Sequence, residues 1–411
     1  MNAAVAKMRA DGASAPQLAA FERRLAQLHA PGAGLLSGDE LQPLGDIDAL
    51  AALPDAPPGA LDRVAIIKLN GGLGTSMGLS APKSTIEARD GLSFLDVIAR
   101  QVLALRERTG ARLPLVLMNS PRTREASLRA LALPPGDVPA DFLQGREPRL
   151  RADDHQPVRW PADPELEWCP PGHGELYVAL AGSGMLQRLL DAGYELAFTS
   201  NADNLGAVAD PRIAAWVAAE RIPFAMEVVQ GTEADRKGGH LARHGGRIVL
   251  RETAQVPDGD DSFGDVARWR WYNTNNLWID LRALAELLAR EPAGPDLPLI
   301  VNHKTVDPTD PDSPAVLQLE NAMGAAIGAI DGARPVHVAR DRFVPVKTTE
   351  DLLVLRSDAY ALRDDGRLER QFDGDPPVVT LPDRLKRLAD FDAHFAGGLP
   401  SLRDRDHLTV P

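Results

Sequence analysis

The chain alternates between short apolar runs and longer stretches in which apolar residues recur every three or four positions. Short runs predict buried strands, and the three-to-four spacing predicts amphipathic helices. Strands are predicted at 64–69, 113–118, 142–144, 196–199, 224–229, 271–279, 299–301 and 336–346, with a hairpin over 240–250 that turns at Gly245-Gly246. Helices are predicted at 16–29, 93–108, after Pro121, and at 175–191, 211–220, 281–290, 315–330 and 349–362. This alternation predicts an α/β fold with a mixed, mostly parallel sheet flanked by helices.

Three regions follow from the same pattern. Residues 1–60 hold one predicted helix and a Pro/Gly-rich stretch, and they are interpreted as a helical appendage with a linker. Residues 61–362 carry the strand–helix alternation and are expected to form the main α/β domain. Residues 363–411 are rich in loops and are expected to form a short tail.

Composition narrows the class of protein. The formal net charge is −13, which disfavours broad binding to nucleic acid or anionic membranes. Cys169 is the only cysteine, so neither an intrachain disulfide nor a Cys-based zinc site is expected. The sequence shows no secretory signal and no apolar run long enough for a transmembrane helix. A cytoplasmic protein is therefore expected.

A glycine-rich loop follows the first predicted strand. Residues 70–78 read NGGLGTSMG, and Pro82-Lys83 follows shortly after. Glycines let a backbone approach a ligand closely, so the loop suits a phosphate cradle made of N–H groups. It matches neither the dinucleotide-binding fingerprint nor a Walker A loop. A turn that serves only the fold is the alternative.

Other polar clusters come at the ends of predicted elements. Asp203 lies just past a strand, where a carboxylate suits Mg²⁺ and phosphate, although Asp and Asn are also common in turns. His173 stands between two glycines before a helix. Asn273-Thr-Asn-Asn276 lies inside an aromatic strand and suits recognition of sugar hydroxyls, or else forms a polar edge. Lys347 precedes a helix, where an anion site or a plain surface lysine is possible.

Seven stretches, taken in order, resemble the eukaryotic-type UDP-glucose pyrophosphorylase family. They are KLNGGLGTSMG from Lys68, APKS from Ala81, LVLMNS from Leu115, PPGHG from Pro170, SNADNLG from Ser200, NTNNLW from Asn273 and VPVKTT from Val344. The resemblance covers roughly 62–410, and residues 1–60 match only loosely. It implies a Rossmann-like nucleotidyltransferase core.

The resemblance also implies roles for individual residues. UTP would contact Leu69, Asn70, Gly71, Gly72 and Gly172, with Gln144 and Asn201 near the uridine. The sugar phosphate would face His173, Asn273, Thr274 and Asn275. Lys83 and Lys347 would bind the triphosphate and the phosphate under attack, and Asp203 would hold Mg²⁺. One departure is visible: Leu79-Ser80-Ala81 replaces the usual Cys-Lys-Gly, so a second loop cation is missing.

The implied reaction is attack by glucose 1-phosphate on the α-phosphorus of UTP, with release of pyrophosphate. A broader UDP-sugar or N-acetylhexosamine pyrophosphorylase is an alternative, although the latter usually has Gly-Thr-Arg where this chain has Gly74-Thr75-Ser76. A nucleotide-sugar-binding protein without turnover is another. In the family, the segment resembling 402–410 leads into a β-helix that mediates assembly. This sequence stops at Pro411, so a monomer or weak dimer is expected.

Overall fold

A computed structural model describes residues 2–30, 34–134 and 136–411. The helices in these ranges are α1 (Ala3–Ala10), α2 (Ala15–Leu28), α3 (Phe94–Thr109), α4 (Arg124–Ala130), α5 (Leu176–Gly182), α6 (Met185–Asp191), α7 (Pro211–Glu220), α8 (Leu281–Arg290), α9 (Ala326–Ala329), α10 (Thr349–Arg356) and α11 (Leu388–His394).

The strands begin with β1 (Gln42–Pro43), β2 (Asp48–Ala49), β3 (Val64–Asn70), β4 (Glu87–Arg89), β5 (Leu92–Ser93), β6 (Leu115–Asn119), β7 (Asp141–Leu143), β8 (Glu147–Pro148), β9 (Leu150–Arg151), β10 (Trp168–Cys169) and β11 (Leu196–Asn201). The remaining ones are β12 (Phe224–Gln230), β13 (His240–His244), β14 (Arg247–Arg251), β15 (Trp271–Asp280), β16 (Ile300–Thr305), β17 (Ala315–Glu320), β18 (Arg334–His337), β19 (Tyr360–Leu362), β20 (Leu368–Arg370), β21 (Val378–Thr380) and β22 (His407–Thr409).

The central sheet has the order β2-β18-β12-β15-β11-β3-β6-β7, and β13 of the hairpin β13–β14 pairs with β15 and with β1. Strands β11, β3, β6 and β7 run parallel to one another, as do β12, β18 and β2. Strand β15 runs antiparallel to both of its neighbours, β11 and β12. The predicted mixed, mostly parallel sheet is therefore confirmed.

The two faces of this sheet carry separate hydrophobic cores because successive side chains of a strand point in opposite directions. Val64 and Ile66 face a core that includes buried side chains of α3, α7 and α10. Ala65 and Ile67 face the other core, to which α5, α6 and α8 contribute. Helices on both faces leave the ends of the strands open, and in such sheets the ends of the strands are where ligands bind.

The N-terminal helices pack on a third core. Val5 of α1 and Phe21 of α2 are buried against Leu317 and Leu319 of β17. Strand β17 pairs with β16 and β9 in a small antiparallel sheet. Helix α2 confirms the prediction at 16–29, whereas α1 was not predicted.

The helix predicted over 315–330 is wrong. Residues Ala315–Glu320 form strand β17, and only Ala326–Ala329 form a short helix. The Ala-rich sequence has good helix propensity, but pairing with β16 and β9 satisfies its backbone as a strand. Tertiary pairing thus overrides local preference here.

Three further boundaries differ from prediction. The last long helix ends at Arg356 instead of 362, because Ser357 is extended and the chain continues into β19. The strand predicted at 336–346 ends at His337, and a short 3-10 turn follows at Arg340–Arg342. The helix predicted at 175–191 is two helices, α5 and α6, separated at Gly184, which adopts a positive φ of 74°.

The longest described helix, α3, has 16 residues and one buried face. Within residues 2–30, 34–134 and 136–411, no helix combines the length and the apolar character needed to cross a bilayer.

Candidate active site

Three parallel strands end side by side at one edge of the central sheet. Leu69 of β3 pairs with Asn201 of β11, and Asn70 pairs with Asn119 of β6. The N–H of Ala202 donates to the carbonyl of Leu69 at 3.1 Å, which extends the pairing past the strand end. The glycine-rich loop and the Asp203 loop therefore leave the sheet from neighbouring positions.

A cleft of about 290 Å³ opens between these loops. It is lined by ten of the predicted site residues, which are Leu69, Asn70, Gly71, Gly72, Lys83, Gln144, Gly172, His173, Asn201 and Asp203. Lys347, Asn273, Thr274 and Asn275 are not part of this lining. The structure thus gathers most of the predicted residues around one cavity and places four of them elsewhere.

Gly71, Gln144 and Gly172 line the part of the cleft that is called the base end below, after the uracil base it is proposed to bind. Gln144 is almost buried, and its backbone N–H donates to the carbonyl of Asn119 at 2.8 Å. A Cβ on Gly71 would collide with the Gln144 carboxamide. Glycine at position 71 therefore allows the amide of Gln144 to lie directly against the loop.

Asn70 lines the cleft, but its side-chain amide bonds to other residues of the protein. Its Nδ2 donates to Asn119 Oδ1 and to Ser127 Oγ, each at 2.7 Å. The residue therefore ties the strand ends to α4 and leaves its amide nitrogen fully occupied.

The turn at Gly172–Gly174 is pressed against Asn321. Gly172 has a φ of 79°, and a Cβ there would lie 2.7 Å from the Asn321 carbonyl oxygen. The N–H of Gly174 donates to that same oxygen at 2.8 Å. Both glycines are needed because the backbone of the loop packs directly on another backbone.

His173 is held in one tautomer. Its Nδ1 accepts a hydrogen bond from the N–H of Met323 at 3.0 Å, so the ring proton lies on Nε2. Burial, with a smaller contribution from Lys347, lowers the pKa of His173 to about 4. The imidazole is therefore neutral near pH 7 and can donate one hydrogen bond from Nε2.

Elsewhere in the cleft, Lys83 forms an ion pair with Asp203. This part is called the phosphate end below, after the groups it is proposed to bind. Lys83 Nζ contacts Asp203 Oδ2 and also donates to the carbonyl of Val346 at 2.7 Å. Asp203 Oδ1 is buried and has no hydrogen-bond partner among the residues that the structure describes. One carboxylate oxygen thus positions the lysine, and the other is left to take a further cationic or donor group.

Lys347 lies next to this pair along the chain that follows Val346. Its N–H donates to Asp351 Oδ2 at 2.7 Å, and its carbonyl accepts from Ser76 Oγ of the glycine-rich loop at 3.1 Å. Its ammonium has no hydrogen-bond or ion-pair partner among the described residues. The N–H of Val346 donates to the Asp203 carbonyl at 3.1 Å, so the two segments are joined by backbone.

The carboxamides of β15 sit at a bulge. Asn275 has a φ of 58°, and the register with β12 shifts between Glu227 and Val228. Asn273 Nδ2 donates to Asn275 Oδ1 at 2.9 Å, while Thr274 Oγ1 donates to the Glu227 carbonyl at 2.7 Å. Thr274 is therefore turned into the protein, and its hydroxyl is already bonded there.

Comparison with known proteins identifies the family. A family profile described as UTP–glucose-1-phosphate uridylyltransferase matches residues 34–411. This chain belongs to that family.

Individual members of the family are similar to this chain in sequence and in structure. The UTP–glucose-1-phosphate uridylyltransferase of Solanum tuberosum is 40% identical over 374 residues, which is 88% of this chain and 76% of that protein. A UDP-glucose pyrophosphorylase from Leishmania major, crystallised as a mutant in complex with UDP-glucose, superposes with a TM-score of 0.94 at 40% identity. That match covers 99% of this chain and 90% of the Leishmania chain. The fold and the family are thus shown over nearly the whole length.

Glu252 lies close to predicted site residues of this uridylyltransferase, but the sequence analysis did not predict it as one of them. Burial raises the pKa of Glu252 to about 7, and the nearby Lys347 acts in the opposite direction. A Cβ on Gly239 would lie 2.7 Å from the Glu252 carboxyl, and the Gly239 carbonyl accepts from the N–H of Asn273 at 2.9 Å. Glu252 therefore belongs to the same cluster as Asn273 and Lys347.

A buried network behind the Asp203 loop was also missed. Glu227 is fully buried and accepts from Trp278 Nε1 at 2.9 Å, from Arg342 Nη2 at 2.6 Å and from Asn276 Nδ2 at 3.0 Å. Asn204 Oδ1 accepts from the N–H of Val344 at 2.9 Å. These bonds fix the Asp203 loop to the segment that carries Lys347.

Proposed function

We propose that this chain transfers the uridylyl group of UTP to glucose 1-phosphate, forming UDP-glucose and pyrophosphate. The observation that carries this proposal is the Lys83–Asp203 pair at the phosphate end of a glycine-lined cleft, in a member of the uridylyltransferase family. The cleft offers cations, backbone amides and carboxamides, which are the groups suited to a nucleotide and a sugar phosphate.

The reaction needs no covalent intermediate on the protein. A phosphate oxygen of glucose 1-phosphate attacks the α-phosphorus of UTP, and the bond from that phosphorus to the bridging oxygen breaks. Pyrophosphate leaves with the electron pair of that bond. Because the attacking phosphate is already anionic, no strong base is required. Catalysis then rests on alignment of the two substrates and on neutralisation of charge.

At the base end, Gln144 and Asn201 are proposed to bind the uridine. Gln144 has a carboxamide held against Gly71, and Asn201 ends strand β11 on the same cleft. The backbones of Leu69, Gly72 and Gly172 are proposed to approach the nucleotide, since glycine leaves room for close contact. Asn70 would contribute its backbone, because its side-chain amide is bonded to Asn119 and Ser127.

On the sugar side, the neutral His173 is proposed to donate from Nε2 to a sugar-phosphate oxygen. Asn273 donates from Nδ2 to Asn275 Oδ1 and accepts at Oδ1 from the backbone N–H of Asn275. The two residues thus form a preformed polar pair close to Glu252. Thr274 is proposed to act only through the bulge that it stabilises, because its hydroxyl is bonded to Glu227. Lys347, with a free ammonium near His173 and Glu252, is proposed to neutralise the phosphate under attack.

Asp203 is proposed to bind Mg²⁺. Its buried and unpartnered Oδ1 fits such a role, and the described residues hold no cluster of three or more metal-binding side chains. A single carboxylate oxygen is the protein ligand expected for a magnesium ion whose other ligands are phosphate oxygens and water. When bound, Mg²⁺ supplies positive charge to the phosphates of the nucleotide. Lys83 stays paired with the second oxygen of Asp203 and adds a cation beside it.

A coupled assay of pyrophosphate release tests the proposal directly. With UTP and Mg²⁺, the protein is expected to turn over glucose 1-phosphate faster than galactose 1-phosphate or N-acetylglucosamine 1-phosphate. Comparable rates with all three sugars would favour a broader UDP-sugar pyrophosphorylase. UDP-glucose binding by calorimetry without any turnover would favour a binding protein instead.

The protein is also proposed to act in the cytoplasm as a monomer or weak dimer. The large hydrophobic side chains exposed among the described residues, Leu35, Leu103 and Val378, are scattered along the sequence, and the one cysteine is buried. Scattered apolar residues do not by themselves indicate an interface. Light scattering after size exclusion at micromolar concentration is the test, and a stable higher oligomer would contradict it.

A further inference from the structure

Helix α2 carries two polar side chains that point into the protein behind the base end of the cleft. Gln17 and Arg24 are two helical turns apart and therefore lie on the same face. Arg24 is only 4% exposed, and Phe21 between them is fully buried. Both polar side chains reach loops that border the cleft.

The amide of Gln17 has a fixed orientation. Its Oε1 accepts from the N–H of Ser14 at 3.0 Å and from Ser14 Oγ at 2.9 Å, which caps the start of α2. Its Nε2 therefore points the other way and donates to Glu175 Oε1 at 2.7 Å. The cap of the helix thus aims a hydrogen-bond donor at a buried carboxylate.

Glu175 connects Gln17 to the backbone of the base end. Its two carboxylate oxygens accept from the N–H of Gly145 at 3.0 and 2.9 Å, and Gly145 directly follows Gln144. A Cβ at position 145 would lie 2.5 Å from both Gln17 Nε2 and Glu175 Oε1. Burial raises the pKa of Glu175, and the Gln17 amide, Arg24 and the Gly145 N–H each oppose that rise. The backbone next to Gln144 is therefore held in place by Glu175, which is itself held by Gln17.

Arg24 reaches the other loop of the base end. Its Nη1 donates to Asn321 Oδ1 at 2.7 Å, and its Nη2 pairs with the buried Glu147. Asn321 is the residue on which Gly172 and Gly174 pack. One face of α2 is thus connected to both loops that form the base end.

We propose that Gln17 and Arg24 are positioning residues for the nucleotide, acting through Glu175 and Asn321 on the loops that carry Gln144 and Gly172. The inference rests on the proposed function, because it takes the base end as the site of the uridine. Segment 1–60 then contributes to UTP affinity without touching the substrate.

The neighbouring Arg23 provides a matched control. Its guanidinium also fastens α2 to the body of the protein, but it donates to the carbonyls of Gly294, Ala293 and Pro295 at 2.9, 2.5 and 2.5 Å. None of these residues lines the cleft. Arg23→Gln therefore weakens the docking of the helix without altering the two loops.

The decisive experiment compares full-length wild type, Gln17→Met and Arg23→Gln by steady-state kinetics and by calorimetry of UTP binding. Gln17→Met is expected to raise KM and Kd for UTP roughly tenfold, the equivalent of about one hydrogen bond. The kcat and the KM for glucose 1-phosphate are expected to stay within about twofold of wild type. Turnover and binding of the sugar phosphate are proposed to depend on other residues, which the substitution does not touch. Arg23→Gln is expected to match wild type in all four quantities. Conservative Glu175→Gln, which keeps an acceptor for Gly145, is expected to stay nearer to wild type than Glu175→Leu.

Several results would overturn the proposal. One is a KM for UTP in Gln17→Met within twofold of wild type. Another is an equal change in Arg23→Gln, which would indicate a general effect of helix docking. If Gln17→Met does not fold, Gln17→Asn, whose shorter side chain cannot reach both Ser14 and Glu175, carries the same expectations. Absence of turnover in the wild type would instead refute the proposed function, so the two failures can be told apart.

Discussion

The two ends of the cleft are built from different kinds of contact. At the base end, Gln144 is nearly buried, its loop is held by Glu175, and Gly71 leaves no spare volume beside it. At the phosphate end, Lys83 and Asp203 share one ion pair, and Asp203 keeps an unused oxygen. The nearby Lys347 ammonium, outside the cleft lining, has no hydrogen-bond or ion-pair partner among the described residues.

This difference matches the chemistry of the two halves of UTP, which the two ends are proposed to bind. A uracil ring is neutral and rigid, so preformed hydrogen bonds at fixed positions can distinguish it from other bases. A triphosphate changes its charge distribution during the reaction, so the groups that meet it must be charged and free to follow that charge. The base end should therefore control affinity and selectivity, and the phosphate end should control rate.

The largest effect is expected from Asp203→Ala. The substitution removes the partner of Lys83 and the unoccupied Oδ1 together. The transition state should lose several kcal/mol of stabilisation, so kcat should fall on the order of a thousandfold or more. UTP affinity should change much less. Single-turnover rates at matched Mg²⁺ would measure the loss, with exposed Asp258→Ala as the control. Near-normal turnover in Asp203→Ala would remove the basis for the magnesium assignment.

Next in size are the effects expected at Lys83 of the phosphate end and at Lys347 beside it. Lys83→Ala and Lys347→Ala should each lower kcat by roughly a hundredfold, by analogy with loss of one oxyanion donor. Lys347→Arg should also be impaired, because a planar guanidinium does not replace a compact ammonium. Steady-state kinetics with Lys304→Ala as the control would show this. Full activity in Lys347→Arg would mean that only the charge at this position matters.

The same comparison shows what the sequence could and could not reveal. The placement of the glycine-rich loop and of Asp203 on one cleft was predictable because the parts are local: a strand, a run of glycines and a carboxylate just past a strand end. The positions of Gly71, Asp203 and Asn201 follow from where parallel strands stop. The family resemblance added the proposed role of Gln144, which no spacing rule indicates, whereas the two flanking glycines already pointed to His173.

The supports of the site could not be predicted because they join residues far apart in sequence. The bond from Gln17 to Glu175 spans 158 positions, and the one from Arg24 to Asn321 spans 297. Segment 315–330 shows the same limit in secondary structure. Its residues favour a helix, yet Ala315–Glu320 is held as a strand by β16 and β9.

A smaller effect is expected at the base end itself. Wild type should prefer UTP over CTP and dTTP, because a site built to pair with one base edge and ribose rejects analogues that leave its polar groups unpaired. Gln144→Ala should reduce the UTP/CTP ratio of kcat/KM roughly tenfold, the equivalent of about one hydrogen bond. The kcat with UTP should stay within a few-fold. An unchanged ratio would show that Gln144 does not contact the base, and equal kcat/KM for UTP and dTTP in wild type would argue against readout of the base and ribose.

The smallest expected effect concerns pH and the cluster beside Lys347. Burial raises the pKa of Glu252 from 4.5 to about 7, so the folded protein binds a proton at Glu252 that the unfolded chain releases between those values. Because the native state holds more protons in that window, the free energy of unfolding falls as pH rises through it. Burial lowers the pKa of His173 from 6.5 to about 4, which has the opposite sign and acts chiefly below pH 6.5.

Replacing Glu252 with Gln should therefore remove part of this pH dependence. Between pH 6 and 7.5 the free energy of unfolding should fall by roughly 1 kcal/mol more in wild type than in Glu252→Gln, because one proton is released over about one pH unit. Urea denaturation followed by tryptophan fluorescence at several pH values would measure the difference. Parallel pH profiles for the two proteins would mean that Glu252 is already ionised at pH 6 and pairs with Lys347. The phosphate end would then hold a charge pair in place of a free ammonium.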